Sequence, residues 1–219
     1  MKRDPNKSVM LLANGEKYLV KASDKNFHTK SGVIKVNQIK IGKKIRTHIG
    51  KEFVAVVPTI KDILEKKVER SAQVMLPKDI ALILGYTGIS SDSLIVDAGT
   101  GTGYSAIFLA NYVPDGKVIT YENDGRFVKI AKRNVELSGL INIRLREKDI
   151  TKGIKEKDVD LVVLDLQDSN KVVKHAYTSL KYGGYLVVYS PTIDHLMKSL
   201  KEICKKSFID IKTVENIIR

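Results

Sequence analysis

The stretch Val96-Asp97-Ala98-Gly99-Thr100-Gly101-Thr102-Gly103-Tyr104 constrains the fold more than any other part of the chain. It sets three glycines at alternate positions between Leu94–Val96, which reads as a short buried strand, and Tyr104–Tyr112, which reads as a helix. Glycine at such a turn lets the backbone approach a ligand lying across the carboxyl end of the strand. The spacing is not that of a dinucleotide fingerprint, G-x-G-x-x-G. Tyr104 stands where its third glycine would fall, and Asp97 precedes the first. A strand, a glycine bend and a helix in that order belong to an open α/β sheet.

The rest of the C-terminal part keeps that rhythm. Strands are expected at Val118–Tyr121, Ile141–Leu145, Leu161–Leu166 and Tyr185–Tyr189, with a last one at Ile209–Val214. Helices are expected over Lys78–Leu84, Asp124–Ser138, Lys171–Lys181 and Ile193–Lys206. Pro77 suits a first turn and Gly139 a C-terminal stop. In the helix before Gly139, Phe127, Ile130, Ala131 and Val135 share one face. Such alternation predicts a parallel sheet covered on both faces, a Rossmann-like α/β fold. The first 58 residues read differently, as short strands with turns. Val9–Leu12 and Tyr18–Val20 flank Asn14-Gly15, and Ile45–Thr47 and Phe53–Val57 flank a turn around Gly50. The expected organisation is a small all-β domain over 1–58 and an α/β domain over 59–219. Thr59, with Asp62 three residues on, opens the second with a helix running through Arg70.

Charge separates the same two parts. Of the net +13, residues 1–62 supply a surplus of nine, with 14 Lys+Arg against 5 Asp+Glu. A basic appendage on a nearly neutral body predicts contact with a polyanion, nucleic acid foremost. No apolar run reaches the ~20 residues that cross a bilayer, and the basic start MKRDPNKS is not followed by an apolar stretch of signal-peptide length, so a cytoplasmic protein is expected. Cys204 is the only cysteine, which excludes an intrachain disulfide, and its helical spacing from Leu196 and Leu200 predicts a buried thiol. His28, His48, His175 and His195 lack the spacing of metal ligands, and no phosphate-binding P-loop is present.

Four acids fall at or just past the carboxyl ends of consecutive expected strands: Asp97, Glu122, Asp149 and Asp165. Glu122, 25 residues beyond Asp97, is placed to accept from ribose hydroxyls. Asp149 is placed to accept from an adenine amino group, with Ile150 packing on the ring. Acidic rather than basic residues around the bend suit a nucleoside that carries no pyrophosphate and is cationic. S-adenosyl-L-methionine, a sulfonium, fits that description.

Several segments together resemble the tRNA (adenine-N1)-methyltransferases of the TrmI type. They are Phe27-His28-Thr29-Lys30-Ser31-Gly32-Val33-Ile34, Gly50-Lys51-Glu52-Phe53 with Pro58-Thr59, Gln73-Val74-Met75-Leu76-Pro77-Lys78-Asp79, the bend itself, Tyr121-Glu122 and Val163-Leu164-Asp165-Leu166. The resemblance runs from about residue 8 to the last. It implies a class I methyltransferase domain, S-adenosyl-L-methionine as cofactor, and methylation at N1 of a T-loop adenine (57/58) in tRNA by a homotetramer. By the likeness Asp165 is the catalytic aspartate, and Gln73, Gly99, Gly101, Thr102, Gly103 and Tyr104 join Asp97, Glu122, Asp149 and Ile150 around the cofactor.

The sequence departs from the family's pattern at three places. The family's D-x-P-D-P-W run reads Asp165-Leu166-Gln167-Asp168-Ser169-Asn170, the tyrosine of QxxYPKD is Leu76, and the family's last antiparallel strand is missing beyond Arg219. These departures favour a second reading, a non-catalytic or weakly active tRNA-binding relative; a third, a protein isoaspartyl methyltransferase, comes from Gly101–Ala106, which also resembles that family's turn.

Overall fold

The computed structural model describes residues 8–66, 68 and 74–217. They form two compact units, one of residues up to 68 together with 137–139, the other of the remainder.

In the first unit, β1 (Ser8–Ala13) and β2 (Glu16–Lys21) pair antiparallel across Asn14-Gly15, as that dipeptide predicts. The sheet runs β2-β1-β6-β5, with β5 (Lys44–Arg46) and β6 (Glu52–Val56) forming the second expected pair. A further hairpin, β3 (Asn26–Thr29) with β4 (Gly32–Lys35), was not anticipated. Leu11, Val20, Ile34 and Phe53 fill the core, and the Tyr18 ring packs against Phe27 and Phe53 at centroid distances of 5.6 and 5.8 Å.

Helix α1 (Ile60–Lys66) carries the expected capping box: the Asp62 carboxylate accepts from the Thr59 amide at 2.8 Å, and the Asp62 amide donates to Thr59 Oγ1 at 3.2 Å. Asp62 is also ion-paired with Lys17 of β2. That pairing ties α1 to β2, and the first compact unit takes in α1. The expected end of the helix at Arg70 lies outside the described residues.

In the second unit, α2 (Pro77–Thr87) leads into β7 (Leu94–Ala98), α3 (Tyr104–Tyr112), β8 (Lys117–Glu122), α4 (Gly125–Ser138) and β9 (Ile143–Glu147). Then come β10 (Val159–Leu164), α5 (Ser169–Ser179), β11 (Leu180–Val188) and α6 (Ile193–Ile203). The sheet is wholly parallel, in the order β11-β10-β7-β8-β9. Its central strands are apolar on both faces, and Val96, Ile119, Val162 and Leu164 lie at its core beside Val172 and Ala176 of α5. Helix α3 is buried from Tyr104 to Ala110, whereas α4 buries one stripe. That stripe is centred on Val128, Ala131 and Asn134, with Phe127, Ile130 and Val135 only partly covered.

Two expectations fail. Ile209–Val214 forms no strand, and Ile209 is 90 % exposed. A strand needs a neighbour to satisfy its amides. In this sheet β11 is the edge, and no antiparallel strand lies beyond it among the described residues. Cys204 is exposed, because α6 ends at Ile203 and the thiol lies past its packed face.

Candidate cofactor and active site

The chain runs from β7 outward to β8 and β9, then crosses back to place β10 on the other side of β7. Between β7 and β10 the direction of winding reverses, and ligands of open α/β sheets bind at the carboxyl ends of strands beside such a reversal. The ladder continues past the strand ends. The Asp165 amide donates to Ala98 O at 2.5 Å, Thr100 to Tyr121 O at 3.0 Å, Lys148 to Glu122 O at 2.8 Å, and Tyr189 to Leu164 O at 2.9 Å. Residues just beyond each strand are therefore held in register along one edge.

The bend after β7 brings two of these loops together. A β-carbon on Gly99 would come within 3.3 Å of the Asp165 carbonyl oxygen, a tight contact, so a side chain there would press the two loops apart by a few tenths of an ångström. Gly103, at φ 82°, precedes α3 and packs against Ala131 of α4. Asn134, the polar residue in the α4 stripe, donates through Nδ2 to Thr102 O at 2.8 Å and anchors the bend from behind. The sequence reading missed it. An amide set among apolar residues at helical spacing is the one signal that would have found it.

Glu122 faces the bend: Oε2 accepts from the Gly101 amide at 2.8 Å, and Oε1 accepts from the Asn123 and Asp124 amides at 3.0 Å each. Asp97 is turned inward among hydroxyls. Its side chain is fully buried, accepting from Thr120 Oγ1 at 2.6 Å and Ser105 Oγ at 3.1 Å, and Thr100 Oγ1 lies 2.6 Å from Thr120 Oγ1. It is a strut beneath the bend. Burial pushes its carboxyl up to about 7, against the pull of the two hydroxyls, with Asp165 and Glu122 adding repulsion.

Asp149 caps a short 3-10 turn, Ile150–Lys152, its Oδ1 accepting from the Thr151 amide and hydroxyl at 2.9 and 2.7 Å. Those bonds, from the Thr151 hydroxyl first, hold its pKa below the ordinary value. Oδ2 accepts no hydrogen bond among the described residues. Ile150 is 4 % exposed and sits in the core cluster with Val172 and Ala176, so most of its surface is already covered. Behind this turn, Glu156 accepts from Tyr121 OH and from Arg146 Nε and Nη2 at 2.8 and 2.5 Å, which ties the ends of β8 and β9 together. Tyr104 is buried at the head of α3. Thr102 Oγ1 is buried without a partner among the described residues. Gln73 lies outside the described residues.

Asp165 contrasts with all of these. Its carboxylate accepts no hydrogen bond from any described residue, and burial pushes it up to about 6, with His195 acting in the opposite direction. Tyr189, at the end of β11, lies near enough for Asp79 and Asp165, after burial, to raise its phenol.

The bend, Glu122 and the free oxygen of Asp149 fit a nucleoside carrying hydroxyls, an amino group and positive charge. A model of the family described as tRNA methyltransferase complex GCD14 subunit matches residues 52–219. The chain belongs to this family of tRNA adenine-N1 methyltransferases. Within it, the tRNA (adenine(57)-N(1)/adenine(58)-N(1))-methyltransferase TrmI of Methanocaldococcus jannaschii is 35% identical over 233 residues, which take in 94% of this chain and 82% of the relative. A crystal structure of an S-adenosylmethionine-dependent O-methyltransferase from Thermotoga maritima, 31% identical, superposes with a TM-score of 0.86 over 99% of this chain and 83% of its own. The TrmI structure from Aquifex aeolicus, at 23% identity, has the same fold, with a TM-score of 0.75 over 91% of this chain and 81% of its own. The class I S-adenosylmethionine-dependent methyltransferase fold of the family accounts for the parallel sheet and the glycine bend.

Proposed function

We propose that this chain methylates N1 of a T-loop adenine, position 57 or 58, in tRNA, with S-adenosyl-L-methionine as donor and Asp165 as the residue that receives the base. The observation that carries this reading is the carboxylate of Asp165: partly buried, without a hydrogen-bond partner among the described residues, and beside the glycine bend at the reversal of the sheet. A carboxylate left open at the mouth of a ligand-binding edge is free to accept from a base that enters there.

Glu122 is suited to the ribose hydroxyls and Asp149 Oδ2 to an adenine amino group. The bend at Gly99, Gly101, Thr102 and Gly103 gives the close approach, and Gln73, Tyr104 and Ile150 complete the set named by resemblance. When bound, the cofactor supplies an electrophilic methyl group on a sulfonium. Adenine N1 is a neutral nucleophile that gains positive charge as the new N–C bond forms and the C–S bond breaks. Asp165, ionised, accepts from the exocyclic amino group, aligns N1 and stabilises that charge. N1 lies on the Watson–Crick edge, so the base leaves its stack to reach the site.

The basic first unit supports an RNA partner, and the reading places the protein in the cytoplasm as a homotetramer, which light scattering would test. Among the described residues no helix is long and apolar enough to cross a membrane. The deciding assay incubates the purified chain with labelled S-adenosylmethionine and unmodified tRNA transcript, then digests the RNA to nucleosides. 1-Methyladenosine is the expected product. Cofactor binding by calorimetry with no modified nucleoside would leave a tRNA-binding relative in its place.

A further inference from the structure

Where the family places prolines and an aromatic residue after the aspartate, this chain has Gln167, Ser169 and Asn170. Something else must hold the loop. Ser169, fully buried at the head of α5, has its Oγ 2.8 Å from His195 Nε2 and 2.9 Å from Ser199 Oγ, both on α6. The first turn of α6 is fixed in turn by Thr192, whose hydroxyl accepts from the His195 amide at 3.3 Å. The Asp165 loop, Leu166–Asp168, is thus pinned at its far end to the imidazole.

The other ring nitrogen, His195 Nδ1, is buried and has no partner among the described residues, and neither does Ser190 Oγ, at the other side of the β11–α6 turn. Whichever tautomer the ring adopts, one nitrogen is spoken for by Ser169 and the other is left open. Two orphaned polar atoms on one turn beside an unpaired carboxylate mark a place where a ligand finishes the hydrogen bonding.

We propose that His195 is a positioning residue for methyl transfer: pinned through Ser169, it fixes the loop that carries Asp165 and keeps a buried nitrogen open for the nucleoside that Asp165 receives. This rests on the reading of Asp165 given above. The ionisable groups acting on or facing Asp165 are Asp97 from β7, Tyr189 from β11 and His195 from α6. Of these, only the imidazole can oppose the carboxylate's negative charge.

The test compares His195→Ala, His195→Gln, Ser169→Ala and the alanine double variant on tRNA transcript, with cofactor affinity by calorimetry and melting temperature alongside. His195→Ala lowers kcat roughly 10-fold or more through misplacement of the base, while cofactor affinity and melting hold. The double variant is no worse than His195→Ala, because the two side chains act through one contact. Glutamine can replace the bond to Ser169 but not the imidazole's lowering of the Asp165 carboxyl. It therefore restores kcat at pH 8 and not at pH 6, and the Asp165 carboxyl, followed by ¹³C NMR, titrates higher than in the parent protein. Additive losses, an unchanged kcat in His195→Ala, or melting and cofactor affinity falling in step with kcat would each overturn the proposal. The carboxyl titration needs only folded protein. If the parent chain methylates no tRNA, the proposed function fails, while an Asp165 titration indifferent to His195→Gln still counts separately against the coupling.

Discussion

The two halves of the sheet's carboxyl edge are built on opposite plans. Around β7 and β8 nearly every polar group is already satisfied. Glu122 is held by three amides, Asp97 by two hydroxyls, and the bend by Asn134. Around β10 and β11, Asp165 accepts nothing, and Ser190 and His195 each carry a buried atom without a partner among the described residues. A pocket for a cofactor of constant shape gains from being preformed. A site for a base that arrives out of a stack gains from acceptors and donors that only the base completes. Read this way, affinity for the donor belongs to the first half and turnover to the second, and substitutions should separate them.

The largest separation is expected at Asp165. Asp165→Ala should lower 1-methyladenosine formation by about 10²–10⁴-fold, the range for losing a positioned acceptor at the reacting group, while calorimetry shows cofactor affinity little changed. Equal loss of both would merge the two halves into one. In the intact protein the rate should rise with pH through about 6, since Asp165 must be ionised to accept from the amino group and its carboxyl is pushed up to that value. Glu122→Ala should do the reverse. It removes acceptors for charged-group hydrogen bonds worth about 1.5–3 kcal/mol, so cofactor affinity should fall by roughly 10–150-fold, with kcat at saturating cofactor much less affected.

The first half was far more legible in the sequence than the second. Glycines at alternate positions and acids at strand ends are local signals, and they marked Gly99, Gly101 and Glu122 directly. The strut role of Asp97 was not legible, because it depends on Thr120 and Ser105 converging from a neighbouring strand and helix. The Tyr121–Glu156–Arg146 network spans 35 positions and joins residues that no period connects. His195 was read only for metal spacing, so its bond to Ser169, 26 positions away, went unseen. The β3–β4 hairpin was missed because its strands are only four residues long and its turn, Lys30-Ser31, lacks the signal that Asn14-Gly15 gives. The last strand was over-read: Ile209, Ile211 and Val214 carry a strand-like pattern, but pattern alone does not supply a neighbour to pair with.

Asp97 offers a test of the preformed half that involves no chemistry. Its folded carboxyl, at about 7, lies above the ordinary value, so the folded state holds the proton more tightly than the unfolded chain does. The stability from this group is therefore full below about pH 4 and is lost as pH rises through about 7. Asp97→Asn, which never ionises, should melt above the parent at pH 8 by roughly 3–10 °C and show no such gain at pH 4. A gain that persists at pH 4 would mean that packing, not a buried charge, sets the difference.

Thr102 should show the smallest effect, and it probes the one loose atom in the tight half. Thr102 is 2 % exposed, and its hydroxyl is buried in the bend with no partner among the described residues, so by itself it contributes nothing that valine could not. Thr102→Val keeps the shape and removes the hydroxyl. Without cofactor, melting should stay level or rise slightly, because a desolvated polar group has gone. If the hydroxyl is kept for the donor, affinity by calorimetry should fall by about 3–10-fold, the loss of one neutral hydrogen bond of about 0.5–1.5 kcal/mol. Unchanged affinity would place the donor's polar atoms elsewhere along the bend. It would also show that an orphaned hydroxyl can persist in this half without serving a ligand, which would weaken the same inference drawn from Ser190 and His195 in the other.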